Sequence, residues 1–297
     1  MRFLLCGGTG QVGEEFRALA TPDDVEVVAP GRSALDLEDA DAIARVIAAE
    51  PWSAVVNAAA YTAVDRAESE EAVAFAVNAG APSRLAIETA RRGIPLVHIS
   101  TDYVFDGRKG APYIERDQAA PLNVYGRSKL AGETGVRAAN PRHVILRTSW
   151  AYSPYRTNFV KTILRLAAER DRLAVVADQR GCPTAACDIA KACLAIAKRC
   201  ASEPERAPYG VYHFAGAGEA SWFELAATIV DMSAGRRPRS PQVVPIRTFE
   251  YPTPAARPLD TRLDCTAIVR EFGVVLRPWR EALEETIDRL MANKDFR

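Results

Sequence analysis

Arg2-Phe3-Leu4-Leu5-Cys6 is a short apolar run that passes directly into Gly7-Gly8-Thr9-Gly10-Gln11-Val12-Gly13, and no other feature of the 297 residues restricts the fold as tightly. Glycines at 7, 10 and 13 make a G-x-x-G-x-x-G turn between a strand and a helix. In such a turn the first glycine permits the tight bend, the next lets backbone lie against a pyrophosphate, and the last seats the helix on the strand. The helix start adds free N–H groups and the positive end of the helix dipole, both of which suit an anion. A dinucleotide cofactor is therefore expected on Gly7, Gly10, Gln11, Val12 and Gly13. Glycines alone would also serve close packing; their place after the first strand favours the cofactor.

The following residues repeat that opening rhythm. Near-continuous apolar runs at Arg2–Cys6, Val25–Ala29, Ala54–Ala58, Leu96–Ser100 and Val144–Arg147 suit parallel strands covered on both faces. Between them Val12, Phe16 and Leu19, then Ile43, Val46 and Ile47, fall on single helix faces. Strand and helix in alternation predict an α/β fold, a doubly wound parallel sheet of the Rossmann type over residues 1–150. Residues 151–297 are expected to complete that core and to form a smaller carboxyl-terminal substrate lobe. There a helix at Asn158–Glu169, a strand at Leu173–Val176 and a helix near Asp188–Arg199 precede Gly235–Pro258, whose six prolines favour extended or turn-like chain.

Charge and cysteine content exclude several functions. Thirty-eight basic and 38 acidic residues balance, so no general field draws nucleic acid or an anionic membrane, and binding must rest on local sites. No apolar run reaches the roughly 18 residues that span a bilayer, and no signal-peptide core precedes the first strand, so the reading is a cytoplasmic protein. Six scattered cysteines without CxxC pairing indicate buried small hydrophobes, not a disulfide framework or zinc cage. His98 and His143 lie in strand segments and read as structural, and no metal-ligand spacing is present. Arg236, Arg237 and Arg239 read as a solvated loop.

Sheets of this type bind ligands at the carboxyl ends of their strands, where the remaining unusual residues fall. After the second strand, Arg32 and Ser33 suit a ribose 2′-phosphate, although Arg32 equally suits a solvated turn; Asp36 and Leu37 are expected near the adenine. After the third, Ala58, Ala59, Ala60 and Tyr61 leave room for a cofactor crossing the sheet. The fourth strand ends Ser100-Thr101-Asp102, and Tyr125 and Lys129 follow at a spacing that places both on one helix face. A phenol near pKa ~10 is a poor proton shuttle at neutral pH, and a nearby ammonium is expected to lower it. Lys129 also suits the nicotinamide ribose, and Thr101 suits a substrate carbonyl. Trp150, after the fifth strand, suits either core packing or substrate contact.

With these strings in view, the chain resembles the extended short-chain dehydrogenase/reductase superfamily and, more closely, the dTDP-4-dehydrorhamnose reductase family. The resemblance rests on Gly7–Gly13, Asn57-Ala58-Ala59-Ala60-Tyr61-Thr62-Ala63-Val64-Asp65, Ser100-Thr101-Asp102-Tyr103-Val104-Phe105-Asp106-Gly107, Pro121–Gly126, Arg147–Trp150 and Ala256-Arg257-Pro258. It implies Thr101, Tyr125 and Lys129 as the catalytic set, with Ser100, Asp102, Tyr125 and Trp150 around a sugar. It also implies reduction at C4 of dTDP-4-dehydro-6-deoxy-L-mannose to dTDP-L-rhamnose; the cofactor read from Arg32 and Ser33 is NADPH, with NADH possible. Some family members hold magnesium at a dimer contact through three glutamates. Here Glu15 matches one, while Cys187 and Arg289 stand at the approximate equivalents of the others, which argues against a metal and leaves a monomer or homodimer open.

Two rivals remain at this stage. One is a nucleotide-sugar 4-epimerase or 4,6-dehydratase on the same fold, for which Asp102-Tyr103 lacks the following glutamate. The other is a non-catalytic NADP-binding regulatory subunit, against which Tyr125 and Lys129 argue.

Overall fold

The computed structural model describes residues 1–19, 25–236 and 240–292. Six strands form the central sheet, all parallel, in the spatial order Gly210–His213, His143–Thr148, Leu96–Thr101, Ala54–Asn57, Arg2–Cys6 and Glu26–Val28. The order turns back on itself at the first strand, between Ala54–Asn57 and Glu26–Val28, so the crevice of a doubly wound sheet opens at the glycine turn.

Alternation along the first strand sends its side chains into two cores. Phe3 and Leu5 join Phe16, Val56, Val144 and Ile196 on one face. Leu4 and Cys6 join Ile43, Ile47, Leu85 and Ile145 on the other. Covering both faces explains why these strands read as continuous apolar runs. The sheet's outer strand, Gly210–His213, comes from the second half of the chain.

A third apolar cluster lies in the carboxyl-terminal half. It gathers Val160, Ile163, Leu225, Ile229, Leu283 and Ile287 from helices Phe159–Glu169, Trp222–Ser233 and Trp279–Ala292. Asn158 caps the first of these helices by accepting from the Lys161 amide, and Ser221 and Glu224 form a capping box on the second. Gln242–Ile246 pairs in parallel with Arg172–Val176, so part of the proline-rich segment is strand. Pro245 is accommodated because this pair has only two strands, and its missing N–H costs no further ladder bond.

Expected strand limits hold to within one or two residues, and the helix placed near Asp188–Arg199 runs from Ala186 to Ser202. All six cysteines are free and buried. Arg237 and Arg239 lie outside the described residues. Among the described residues no helix is long and apolar enough to cross a membrane.

Candidate active site

Above the carboxyl ends of the sheet strands lies a cleft of about 620 Å³. Its floor is the glycine turn. Gly7 has φ +81, and a side chain there would strike the Ala59 backbone at 2.6 Å. Gly10 is different, for an added Cβ would meet nothing nearer than the Gly7 carbonyl at 3.4 Å, so its face is open to the cleft. Gly13 lies beneath, where a Cβ would come within 2.1 Å of the Gly7 carbonyl; it seats the helix and does not line the cleft. This open, backbone-walled concavity at a helix amino terminus fits a dinucleotide pyrophosphate.

At one end stand Arg32, Asp36 and Leu37. The Arg32 guanidinium donates to Glu38 at 2.6 Å and to Asp36 at 3.4 Å, and its side chain is 75% exposed. Both carboxylates compete with any phosphate for that cation. Ser33 is exposed and does not line the cleft. Along the wall, Ala58, Ala59 and Ala60 border the space. Tyr61 does not, because its hydroxyl donates to Glu70 at 2.5 Å and its backbone is held in both directions by the Asn78 amide.

Helix Val124–Ala139 carries Tyr125 and Lys129 into the same cleft. Its close seating depends on Gly126, where a Cβ would lie 2.2 Å from the Tyr103 carbonyl. Asn123 caps the helix by accepting from the Gly126 amide at 2.8 Å and ties it to a distant loop by donating to the Ala256 carbonyl at 2.8 Å. Lys129 is buried, and its ammonium donates to the Ile99 carbonyl at 2.7 Å. Burial lowers its pKa from 10.5 to about 8, with Glu133 opposing the shift.

The phenol of Tyr125 differs from the sequence expectation. Burial pushes its pKa up to about 12, with the Thr101 hydroxyl opposing and Asp102 adding to the rise. Desolvation therefore outweighs any help from the ammonium, one of whose three donors goes to the Ile99 carbonyl.

Asp102 and Ser100 are also less free than their positions suggest. Asp102 is buried and accepts from three hydroxyls: Thr101 at 3.0 Å, Ser149 at 3.0 Å and Thr261 at 2.6 Å. Burial raises its pKa to about 6, against the pull of those hydroxyls. Ser100 borders the cleft but donates its hydroxyl to Glu133 at 2.6 Å, away from any ligand. Trp150 combines packing with a place on the cleft wall. It lines the cleft, holds φ +47, and stacks on Trp222 with ring centres 3.5 Å apart.

The cleft also has residues that sequence reasoning missed, notably Arg156 and Thr157 from a loop that follows the sheet. They carry no local signature, and only the chain's return to the glycine turn brings them in. Near Glu15 the side chains form an ion pair, Arg289 donating to both carboxylate oxygens at 2.8 and 3.1 Å. The neighbouring Cys187 thiol faces Arg277 at 3.4 Å. No group of three or more histidine, cysteine, aspartate or glutamate side chains suited to a metal occurs among the described residues.

This geometry, a glycine turn facing a Tyr125/Lys129 helix across one cleft, has close counterparts. The family model for the RmlD substrate binding domain matches residues 1–292. The dTDP-4-dehydrorhamnose reductase of Sinorhizobium fredii is 46% identical over 291 residues, 98% of each chain. The chain belongs to the dTDP-4-dehydrorhamnose reductase family. Two solved structures of that family share its fold throughout. The reductase of Clostridium acetobutylicum superposes with a TM-score of 0.90 at 35% identity, over 98% of this chain and 99% of that one. The reductase of Bacillus anthracis, solved in complex with NADP, gives 0.89 at 34% identity over 97% and 99%. The strings around Asn57, Ser100 and Arg147 lie at strand ends beside the cleft, which Ala58, Ser100 and Thr148 line.

Proposed function

We propose that this chain is an NADPH-dependent reductase, able to use NADH less well, that converts the C4 ketone of dTDP-4-dehydro-6-deoxy-L-mannose to the alcohol of dTDP-L-rhamnose. The observation that carries this reading is the placement of Tyr125, Lys129 and Thr101 on one cleft with the open face of the glycine turn. When bound, the reduced nicotinamide supplies a hydride to the carbonyl carbon. Tyr125 gives its phenolic proton to the carbonyl oxygen, and the raised pKa keeps that proton on the phenol at neutral pH. Lys129 holds the nicotinamide ribose, Trp150 packs beside the sugar, and Thr101 orients the ketone once its hydroxyl turns from Asp102. The related reductase solved with NADP supports the choice of cofactor. We place the enzyme in the cytoplasm, as a monomer or homodimer, with no nucleic-acid or membrane partner.

The test is NADPH oxidation with the ketosugar supplied in situ by a 3,5-epimerase. Rapid oxidation yielding dTDP-L-rhamnose supports the assignment. The D-configured ketosugar, without the epimerase, should turn over slowly, because inversion at C3 and C5 moves the ketone relative to Tyr125. Equal rates with both sugars, or no turnover with either, would remove the rhamnose assignment.

A further inference from the structure

The loop of residues 153–158, about 140 positions beyond the glycine turn it touches, brings Arg156 and Thr157 to the cleft. Ser153 donates from Oγ to Gln11 Oε1 at 3.1 Å, and Asn158 donates from Nδ2 to the same oxygen at 2.9 Å. Between these anchors Arg156 donates from Nε to the Thr9 carbonyl at 2.6 Å. The loop is thus pinned to the glycine turn on both sides of Arg156, and Arg156 with Thr157 lines the cleft.

Arg156 has φ +54, a left-handed conformation that side chains other than glycine rarely adopt. Strain of this kind persists only where surrounding contacts hold it. A guanidinium presents five N–H donors, and the Thr9 carbonyl takes only the one on Nε. The two cleft arginines therefore differ. Arg32 is engaged by Glu38 and Asp36, whereas Arg156 meets no carboxylate among the described residues.

We propose that Arg156 is a phosphate-binding residue for the dinucleotide, closing on its pyrophosphate from the loop that faces the glycine turn. The proposal rests on the dinucleotide reading of this cleft. The pyrophosphate is favoured over a ribose 2′-phosphate because Thr9 lies between Gly7 and Gly10, while the ribose end is marked by Arg32 and Asp36. Anchoring on the same turn favours it over the diphosphate of a nucleotide sugar.

The experiment is equilibrium binding of NADPH, NADH and dTDP to the full chain, wild type against Arg156→Gly and Arg156→Lys, with melting temperatures alongside. Glycine accepts the positive φ, so Arg156→Gly should melt no lower than the wild type. Its Kd should nevertheless rise about tenfold or more for NADPH and NADH alike, the loss expected of one charge-assisted contact, with dTDP unaffected. Lysine should recover part of that affinity as a point charge. A loss confined to NADPH would move the contact to the 2′-phosphate and overturn the proposal. So would a loss confined to dTDP, or unchanged binding of all three. If the wild type itself binds neither dinucleotide, the cofactor reading fails, and this inference with it.

Discussion

Lys129 and Tyr125 sit four residues apart and open into the same cleft; the lysine ammonium donates to the Ile99 carbonyl at 2.7 Å, and burial raises the phenol's pKa to about 12. For a ketone reduction this is serviceable, because the acid must arrive protonated. The phenol needs no cation to hold its proton, only one to ease its departure.

Tyr125→Phe removes the proposed proton donor and little else. Turnover should fall by roughly 100-fold or more, with cofactor Kd and melting temperature close to wild type. Single-turnover rates within a few fold of wild type would reject Tyr125 as the acid.

Lys129 gives a prediction in which rate and stability move apart. Its folded pKa of about 8 lies below the ordinary 10.5. Between those values the unfolded chain binds the extra proton, so stability rises with pH through that window, and below it the buried ammonium is a net cost. Lys129→Met should therefore stabilise the fold at pH 7, by about 1–3 kcal/mol, while activity is lost. Wild-type kcat/KM should decline as pH rises through about 8, and Lys129→Arg, which stays charged, should lack that decline whatever its rate. A basic limb that survives in the arginine variant would show that another group titrates there.

Arg32 is expected to favour the 2′-phosphate only after leaving Glu38 and Asp36. Glu38→Gln should free it and strengthen NADPH binding by a few fold without changing NADH. Arg32→Ala should narrow the preference for NADPH by about tenfold, the lower part of the range for a charged hydrogen bond on so exposed a group. Isothermal titration with both nucleotides measures each effect, and an NADPH affinity unmoved by either substitution would leave Arg32 as a solvated turn residue.

Glu133, on the same helix as Tyr125 and Lys129, forms a buried pair with Arg147, which donates at 2.9 and 2.7 Å to the two carboxylate oxygens. Glu133→Ala leaves that guanidinium uncompensated and should cost about 3–5 kcal/mol in chemical denaturation. The double change Glu133→Leu with Arg147→Met should recover at least half of it. A double variant as unstable as the single would mean that the pair contributes more than its own burial costs.

The sheet's outer strand Gly210–His213 was not legible in the sequence by itself, whereas the alternation of strands and helices over the first half of the chain, the glycine turn and the Tyr125/Lys129 spacing were. Each follows from local rules: apolar runs for strands buried on both faces, glycine where a side chain would strike backbone, and four residues for one helical turn. The tertiary structure decided where the candidate side chains spend their hydrogen bonds. Ser100 turns to Glu133, Tyr61 to Glu70, and Asp102 to Thr101, Ser149 and Thr261. It also decided the Trp150–Trp222 stack and brought Arg156 to Thr9. Apart from the local Thr101–Asp102 and Tyr61–Glu70 bonds, each of these joins segments set together by core packing, and the burial that shifts Tyr125, Lys129 and Asp102 is a property of everything packed around them.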